Sequence, residues 1–282
     1  VVGGLGVREF GVPGGMPVLF VHGYASSGWA AGWTLCGEVL RREGVRVIAV
    51  DRPGYGGTPP GAPWLELVAA LVEPVGPVVV AGVSMGASAA LGLAVARPDL
   101  VAGVAVLSGM APAPAGKWAP ASREDAFYWR LARSAPWLLR RLCAVSAGAM
   151  SKGARGDAAK LMARVERALP AADLEVFRER MGTGRAAFLA DVAESSRQGG
   201  AAMADDLVRH LRPWAADPAA VKVPVRLLHG VEDPKVPVKL ARSLADRLPD
   251  VRAAYLPGGH FAPFADQEAL VGTLLDLGRA KS

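Results

Sequence analysis

Apolar residues fall into two kinds of pattern along this chain. Short, mostly apolar runs occur at Pro17–His22, Val45–Val50, Pro77–Gly82 and Val101–Leu107, and further strand-like stretches at Val223–His229 and Val251–Leu256. Elsewhere apolar positions recur every three to four residues, over Leu35–Arg42, Leu65–Val72, Gly86–Arg97, Val238–Leu248 and Gln267–Gly278. The four apolar runs, bounded by turn residues, suit strands buried on both faces of a parallel sheet. Val223–His229 reads as another buried strand and Val251–Leu256 as a strand, and the periodic stretches predict the helices that connect them. Val7–Val12 predicts an earlier edge strand. The fold class is therefore α/β, with a mostly parallel sheet flanked by helices.

The rhythm breaks after Ser108-Gly109. Pro112, Pro114, Gly116 and Pro120 mark a linker, and no strand pattern follows from Arg123 to about Arg212. Amphipathic stretches take its place: Asp125–Ser134, Trp137–Met150, Asp157–Leu169, Asp173–Met181, Arg185–Arg197 and Ala201–Leu211. Pro136, Gly153, Pro170, Gly182 and Gly199 punctuate them. The pattern predicts an all-helical insertion at 113–220 within a core made of 1–112 and 221–282.

Composition narrows the class. Apolar residues make up 51% of the 282, enough for a sizeable core and too many for long disorder. The apolar runs fall far short of the roughly 20 residues that a membrane helix needs, so no stable membrane insertion is expected. Val1-Val2-Gly3-Gly4 is not a charged segment followed by an apolar run, which predicts no secretory signal. Cys36 and Cys143 show neither metal spacing nor a C-x-x-C arrangement. They read as buried free thiols, which fits a reducing cytoplasm. The net charge is +6, and residues 113–220 carry most of it, with 17 Lys/Arg against 12 Asp/Glu. These charges interleave at helical spacing, as in Arg164-Val165-Glu166-Arg167 and Arg178-Glu179-Arg180. That is a solvated helix surface rather than a nucleic-acid face.

The chemistry concentrates at strand ends. Gly82-Val83-Ser84-Met85-Gly86 follows an apolar strand and opens a helix-compatible run, the context of a nucleophile elbow. Such a turn strains the serine, exposes its hydroxyl, and aims the helix N-terminus at the site. A serine needs a base. Of His22, His210, His229 and His260, only His260, in Gly258-Gly259-His260-Phe261, lies in a loop after the last strand. There, at the C-terminal edge of a parallel sheet, catalytic groups gather. His210 reads as a surface residue of the helical insertion, and His22 and His229 as structural. The base needs an acid, and Asp233, in His229-Gly230-Val231-Glu232-Asp233-Pro234, is a better candidate than Glu232. No carboxylate follows Leu107.

In this order, Ser84, Asp233 and His260 resemble the triad of the α/β-hydrolase superfamily, within its capped serine esterases. The resemblance extends to His22-Gly23-Tyr24 and to Asp51-Arg52-Pro53-Gly54-Tyr55-Gly56. It implies oxyanion-hole amides at Tyr24 and Met85, and a structural turn at 51–56. Pro53, Pro59 and Pro60 do not open a helix, so that turn is not a nucleotide loop. By the same resemblance the helical insertion is a cap over the pocket. Phe127, Tyr128, Trp129, Trp137, Phe188, Trp214 and Phe261 are its candidate apolar lining. The implied activity is hydrolysis of a carboxylic ester, lactone or related acyl compound through an acyl-enzyme. The expected partner is a small apolar or amphipathic acyl substrate, with no metal or cofactor. Serine at position 84 argues against epoxide hydrolases and haloalkane dehalogenases, which use a carboxylate there. Carbon–carbon bond hydrolysis, acyl transfer and a non-hydrolytic ligand-binding or cyclase-like role use the same fold and stay open.

Overall fold

A computed structural model describes residues 3–112 and 123–279. Among these described residues, seven strands form one sheet: β1 (Val7–Gly11), β2 (Met16–Val21), β3 (Val45–Val50), β4 (Val78–Val83), β5 (Val101–Leu107), β6 (Val225–Gly230) and β7 (Val251–Leu256). Their spatial order is β1-β3-β2-β4-β5-β6-β7. Only β1 is antiparallel, pairing with β3 from Val7 opposite Val50 to Gly11 opposite Arg46.

Alternate residues of each central strand feed different cores, as a period of two requires. Leu19, Ile48, Val80 and Val106 point to one face, where α3 (Trp64–Val72), α4 (Gly86–Ala96) and α10 (Val238–Ala245) pack. Phe20, Val47, Val79 and Ala105 point to the other, covered by α1 (Ala31–Thr34), α2 (Gly37–Arg42) and α11 (Gln267–Arg279). Burial on both faces explains why these central strands read as nearly continuous apolar runs, with half-buried Arg46 of β3 the interruption.

Among the described residues, five α-helices connect β5 to β6: α5 (Arg123–Ser134), α6 (Pro136–Arg155), α7 (Ala158–Ala168), α8 (Ala171–Ser195) and α9 (Ala201–His210). The proline-rich linker lies mostly outside the described residues. Two of the breaks expected from the sequence do not occur. Gly153 sits inside α6, and Gly182 sits inside α8, which fuses the two stretches expected on either side of it. A glycine costs a helix only about 1 kcal/mol relative to alanine, and the contacts of the flanking turns outweigh that. Nearby Gly184 has a positive use: a Cβ there would come within 2.8 Å of Trp33 Cα, so the glycine lets α8 lie directly on α1.

His210 is not at the surface. It is buried, with Nε2 3.1 Å from the Ala111 carbonyl and its ring edge-on to Trp214. Burial pushes its pKa down to about 4, so it is a neutral packing residue between α9 and the end of β5. The interleaved lobe charges are solvated where Arg178 pairs with Glu166. Asp173, Asp191 and Asp206 break that pattern: all three are buried.

Candidate active site

Ser84 follows β4 in the turn that enters α4. Its φ is +51°, a left-handed conformation that disfavours any residue with a Cβ and projects the side chain off the sheet edge. The glycines around it are required by close approach. A Cβ on Gly82 would come within 2.7 Å of Ala90 Cβ, and one on Gly86 within 2.6 Å of the His22 carbonyl oxygen. Two amides, of Ala87 and Met110, donate to the Ser84 carbonyl at 3.1 and 2.9 Å and hold the turn.

The loops after β6 and β7 bring Asp233 and His260 together. His260 Nδ1 donates to Asp233 Oδ2 at 2.7 Å. The other oxygen, Asp233 Oδ1, accepts from the amides of Lys235 and Val236 at 2.8 and 2.9 Å, so both carboxylate oxygens are fixed. Burial opposes charge on Asp233, but His260, with smaller help from the Val236 amide and His229, outweighs it and holds its pKa below the ordinary carboxylate value. Burial likewise opposes charge on His260. The Asp233 carboxylate overcomes it, with a further push from Asp173 against Lys235, and the imidazole pKa ends above its ordinary value. The two loops are zipped by backbone bonds, Val231 N–H to the Leu256 carbonyl and Glu232 N–H to the Gly258 carbonyl, both 2.9 Å.

Ser84 and His260 open onto one cavity of about 520 Å³, a size typical of small-molecule sites. Gly23, Tyr24 and Met85 line it beside them. Gly23 lies against the Ser84 turn, where a Cβ would sit 3.1 Å from Ser84 Cβ. Among the described residues, neither the Tyr24 nor the Met85 backbone amide donates to a protein acceptor. The rest of the wall is mainly apolar.

Of the expected lining residues, Tyr128, Trp129, Phe188 and Phe261 face the cavity. Trp137 does not: it is 65% exposed on the outer side of α6, with Arg141 over its ring. Phe127 is also exposed, and Trp214 packs on His210 instead. Sequence reading missed Trp33, Met110 and Phe177, which line the cavity. Trp33, Phe177, Phe188 and Phe261 form an aromatic box of mostly edge-to-face contacts. Nothing in the sequence marks Trp33 and Phe177 as part of it, because the four rings come from α1, α8 and the His260 loop.

Also missed were four lobe carboxylates, each holding a loop that borders the site. Asp125 of α5 pairs with Lys235 beside Asp233, at 2.9 Å. Asp173 of α8 accepts the Phe261 amide at 2.7 Å. Asp191 of α8 accepts from Ser26, from Ser27 through both amide and hydroxyl, and from Trp33, while burial pushes its pKa up to about 6. Asp206 of α9 pairs with Arg52, in the turn read from sequence as purely structural. His22 and His229 are buried beneath the loops. His229 Nε2 donates to the Val236 carbonyl at 2.7 Å and lies 3.6 Å from Asp233 Oδ2. Both cysteines are free; Cys143 is buried and Cys36 half-buried.

No helix among the described residues is long and apolar enough to cross a membrane. The chain resembles known hydrolases along nearly all its length. It is 32% identical over 254 residues to the pimeloyl-[acyl-carrier protein] methyl ester esterase of Aromatoleum aromaticum, covering 84% of this chain and 89% of that protein. It is 36% identical over 110 residues to lipase LipV of Mycobacterium tuberculosis, covering 36% of this chain and 41% of that one. Among solved structures it superposes on an alpha/beta hydrolase fold protein from Nakamurella multipartita with a TM-score of 0.68 at 22% identity, covering 98% and 96% of the two chains. A thermophilic esterase from Thermogutta terrifontis superposes with a TM-score of 0.62 at 22% identity, covering 99% and 94%. The sequence profile of the alpha/beta hydrolase family matches residues 18–273, and this chain belongs to that family.

Proposed function

We propose that this protein is a serine esterase in which Ser84 is the nucleophile, His260 the general base and Asp233 the acid that orients it. The observation that carries this reading is the pairing of His260 Nδ1 with Asp233, which leaves Nε2 to serve a strained serine on the same cavity. Ser84 attacks the ester carbonyl as His260 takes its proton. His260 then returns the proton to the leaving alcohol, and an acyl-enzyme remains. Water, activated by the same imidazole, releases the acid. The Tyr24 and Met85 amides receive the tetrahedral oxyanion. Donors of this kind are each worth about a hundredfold or more in rate.

Residues 113–220 act as a cap over a core of 1–112 and 221–282. Trp129, Phe188 and Phe261 contact substrate, whose class is a small apolar or amphipathic acyl ester. The methyl esterase of Aromatoleum aromaticum makes linear acyl methyl esters natural test compounds. Free thiols at Cys36 and Cys143 support a cytoplasmic setting.

The test is turnover of p-nitrophenyl and methyl acyl esters by the wild type and by Ser84→Ala, together with fluorophosphonate labelling. Labelling at Ser84 and loss of turnover in the variant are expected. Unchanged turnover by Ser84→Ala would refute the assignment. Parallel assays of lactones, amides and vinylogous diketones separate ester cleavage from the other chemistries of this fold.

A further inference from the structure

Two side chains converge on one backbone oxygen. The Gly23 carbonyl accepts from Arg52 Nη2 at 2.8 Å and lies 2.9 Å from His22 Nδ1. The tautomer of His22 follows from its other nitrogen. The backbone N–H of Arg52 donates to His22 Nε2 at 2.9 Å, so Nε2 is unprotonated and Nδ1 carries the hydrogen that goes to Gly23. Both lone pairs of the Gly23 oxygen are therefore engaged. That oxygen belongs to the same planar peptide as the Tyr24 N–H. Fixing the carbonyl on one side fixes the N–H on the other, because the two point in opposite directions across a trans peptide. The loop needs such restraint: Ala25, the next residue, has φ +52°.

The guanidinium is held on every side. Arg52 Nε donates to the His22 carbonyl at 3.0 Å. Nη1 and Nη2 form a two-pronged pair with Asp206 of α9 at 2.9 and 2.7 Å, and the Tyr55 hydroxyl donates to the same carboxylate at 2.8 Å. Arg52, Tyr55 and Asp206 are all buried, so the charge acts without screening by water. A lysine, with a single nitrogen, cannot serve two loop carbonyls and both carboxylate oxygens together.

We propose that Arg52 and His22 are positioning residues for the oxyanion hole: together they aim and polarise the Gly23–Tyr24 peptide toward the tetrahedral intermediate, with Asp206 of the helical lobe holding the cation in place. This rests on the assignment of Ser84 as nucleophile and of the Tyr24 amide as an oxyanion donor. A cation at the carbonyl end strengthens the N–H as a donor, and it does so most when negative charge develops in the transition state. The effect therefore falls on kcat rather than on KM. A simple tether of lobe to core would move stability and KM instead.

The test compares wild type, Arg52→Lys, His22→Leu and His22→Asn in the full chain. Readouts are kcat and KM for p-nitrophenyl butyrate, and inhibition by an alkyl trifluoromethyl ketone, whose hemiketal oxygen occupies the hole. The matching methyl carbinol, which forms no adduct, is the control ligand. Arg52→Lys is expected to lose about tenfold or more in kcat with KM within about twofold, against the hundredfold or more for a whole donor. The ketone should weaken by the same factor as kcat, with carbinol binding unchanged. His22→Leu should fall in the same sense, and His22→Asn, which keeps a donor near the Nδ1 position, should recover part of the loss. If Arg52→Lys does not fold, the two His22 variants decide. Wild-type kcat in the folded variants, or equal weakening of ketone and carbinol, overturns the inference. Failure of fluorophosphonate to label the wild type overturns the esterase reading itself, so the two failures are distinguishable.

Discussion

Gly230→Ala is the most demanding single-atom perturbation of the site. Gly230 ends β6, where the loop carrying Asp233 passes the loop carrying His260. A Cβ there would lie 1.9 Å from the Gly259 carbonyl oxygen and 2.5 Å from that of Gly258. Contacts under 3.0 Å are essentially never seen for a Cβ, so the loops must part by at least the 1.1 Å between 1.9 and 3.0 Å. Both obstacles are backbone, and no side chain can rotate to relieve them. The Asp233–His260 bond is 2.7 Å. A displacement of that size along it would carry the pair to about 3.8 Å, beyond hydrogen-bonding range. A misplacement of about 1 Å at a catalytic group costs on the order of a hundredfold in rate, or about 2.7 kcal/mol. Steady-state kcat/KM on a p-nitrophenyl ester is the assay, with circular dichroism to show that the variant is folded. A second signature is independent of the size of the loss. His260 is held above its ordinary pKa mainly by Asp233, so the acid limb of the pH–rate profile should move to lower pH in the variant. A folded Gly230→Ala enzyme with wild-type kcat/KM and an unmoved acid limb would refute this account of how Asp233 and His260 are brought together for catalysis.

Asp233→Asn should lower kcat by about a thousandfold or more. As the proposed general base, His260 acts in its neutral form, so activity should rise with pH through its pKa. The wild-type midpoint should lie above the ordinary imidazole value of 6.5 and fall in the variant, as a kcat/KM profile would record. Gly148→Ala and Gly182→Ala lie in the interiors of α6 and α8, where an added Cβ meets nothing within 4 Å. Each should stabilise the fold by up to about 1 kcal/mol in urea unfolding, with activity unchanged. Phe188→Ala, on the cavity wall, should raise KM for long acyl esters, whereas Trp137→Ala, on the outer face of α6, should leave kcat and KM alone. Equal effects of these two substitutions in the same ester series would show that the cavity wall has been misplaced.

The sheet was legible from the chain because its information is local. Val45–Val50, Val101–Leu107 and Val251–Leu256 are strands at the limits their sequence patterns suggest, and Ser84 sits in the strained turn that its flanking glycines permit. Such features depend on neighbours a few residues away, and a period of two or of 3.6 records them. The facing of the lobe helices carries no such record. Trp137 and Phe188 both lie at helical spacing among apolar neighbours. One meets water and the other the cavity, because the rotation of α6 and α8 is set by what they pack against. Gly182 reads as a break, yet α8 runs through it, since contacts on either side exceed a local penalty of about 1 kcal/mol.

The lobe carboxylates show the same division most clearly. In sequence, Asp173, Asp191 and Asp206 are indistinguishable from the solvated charges around them. In the fold each is buried, and each grips a loop bordering Ser84 or His260 from more than 80 residues away, Asp206 reaching Arg52 across 154. The sequence by itself determined which residue types stand at the strand ends and in what order. Tertiary structure alone decided which charges left water, because the free energy of a buried carboxylate depends on the donors that enclose it, and those donors come from distant parts of the chain.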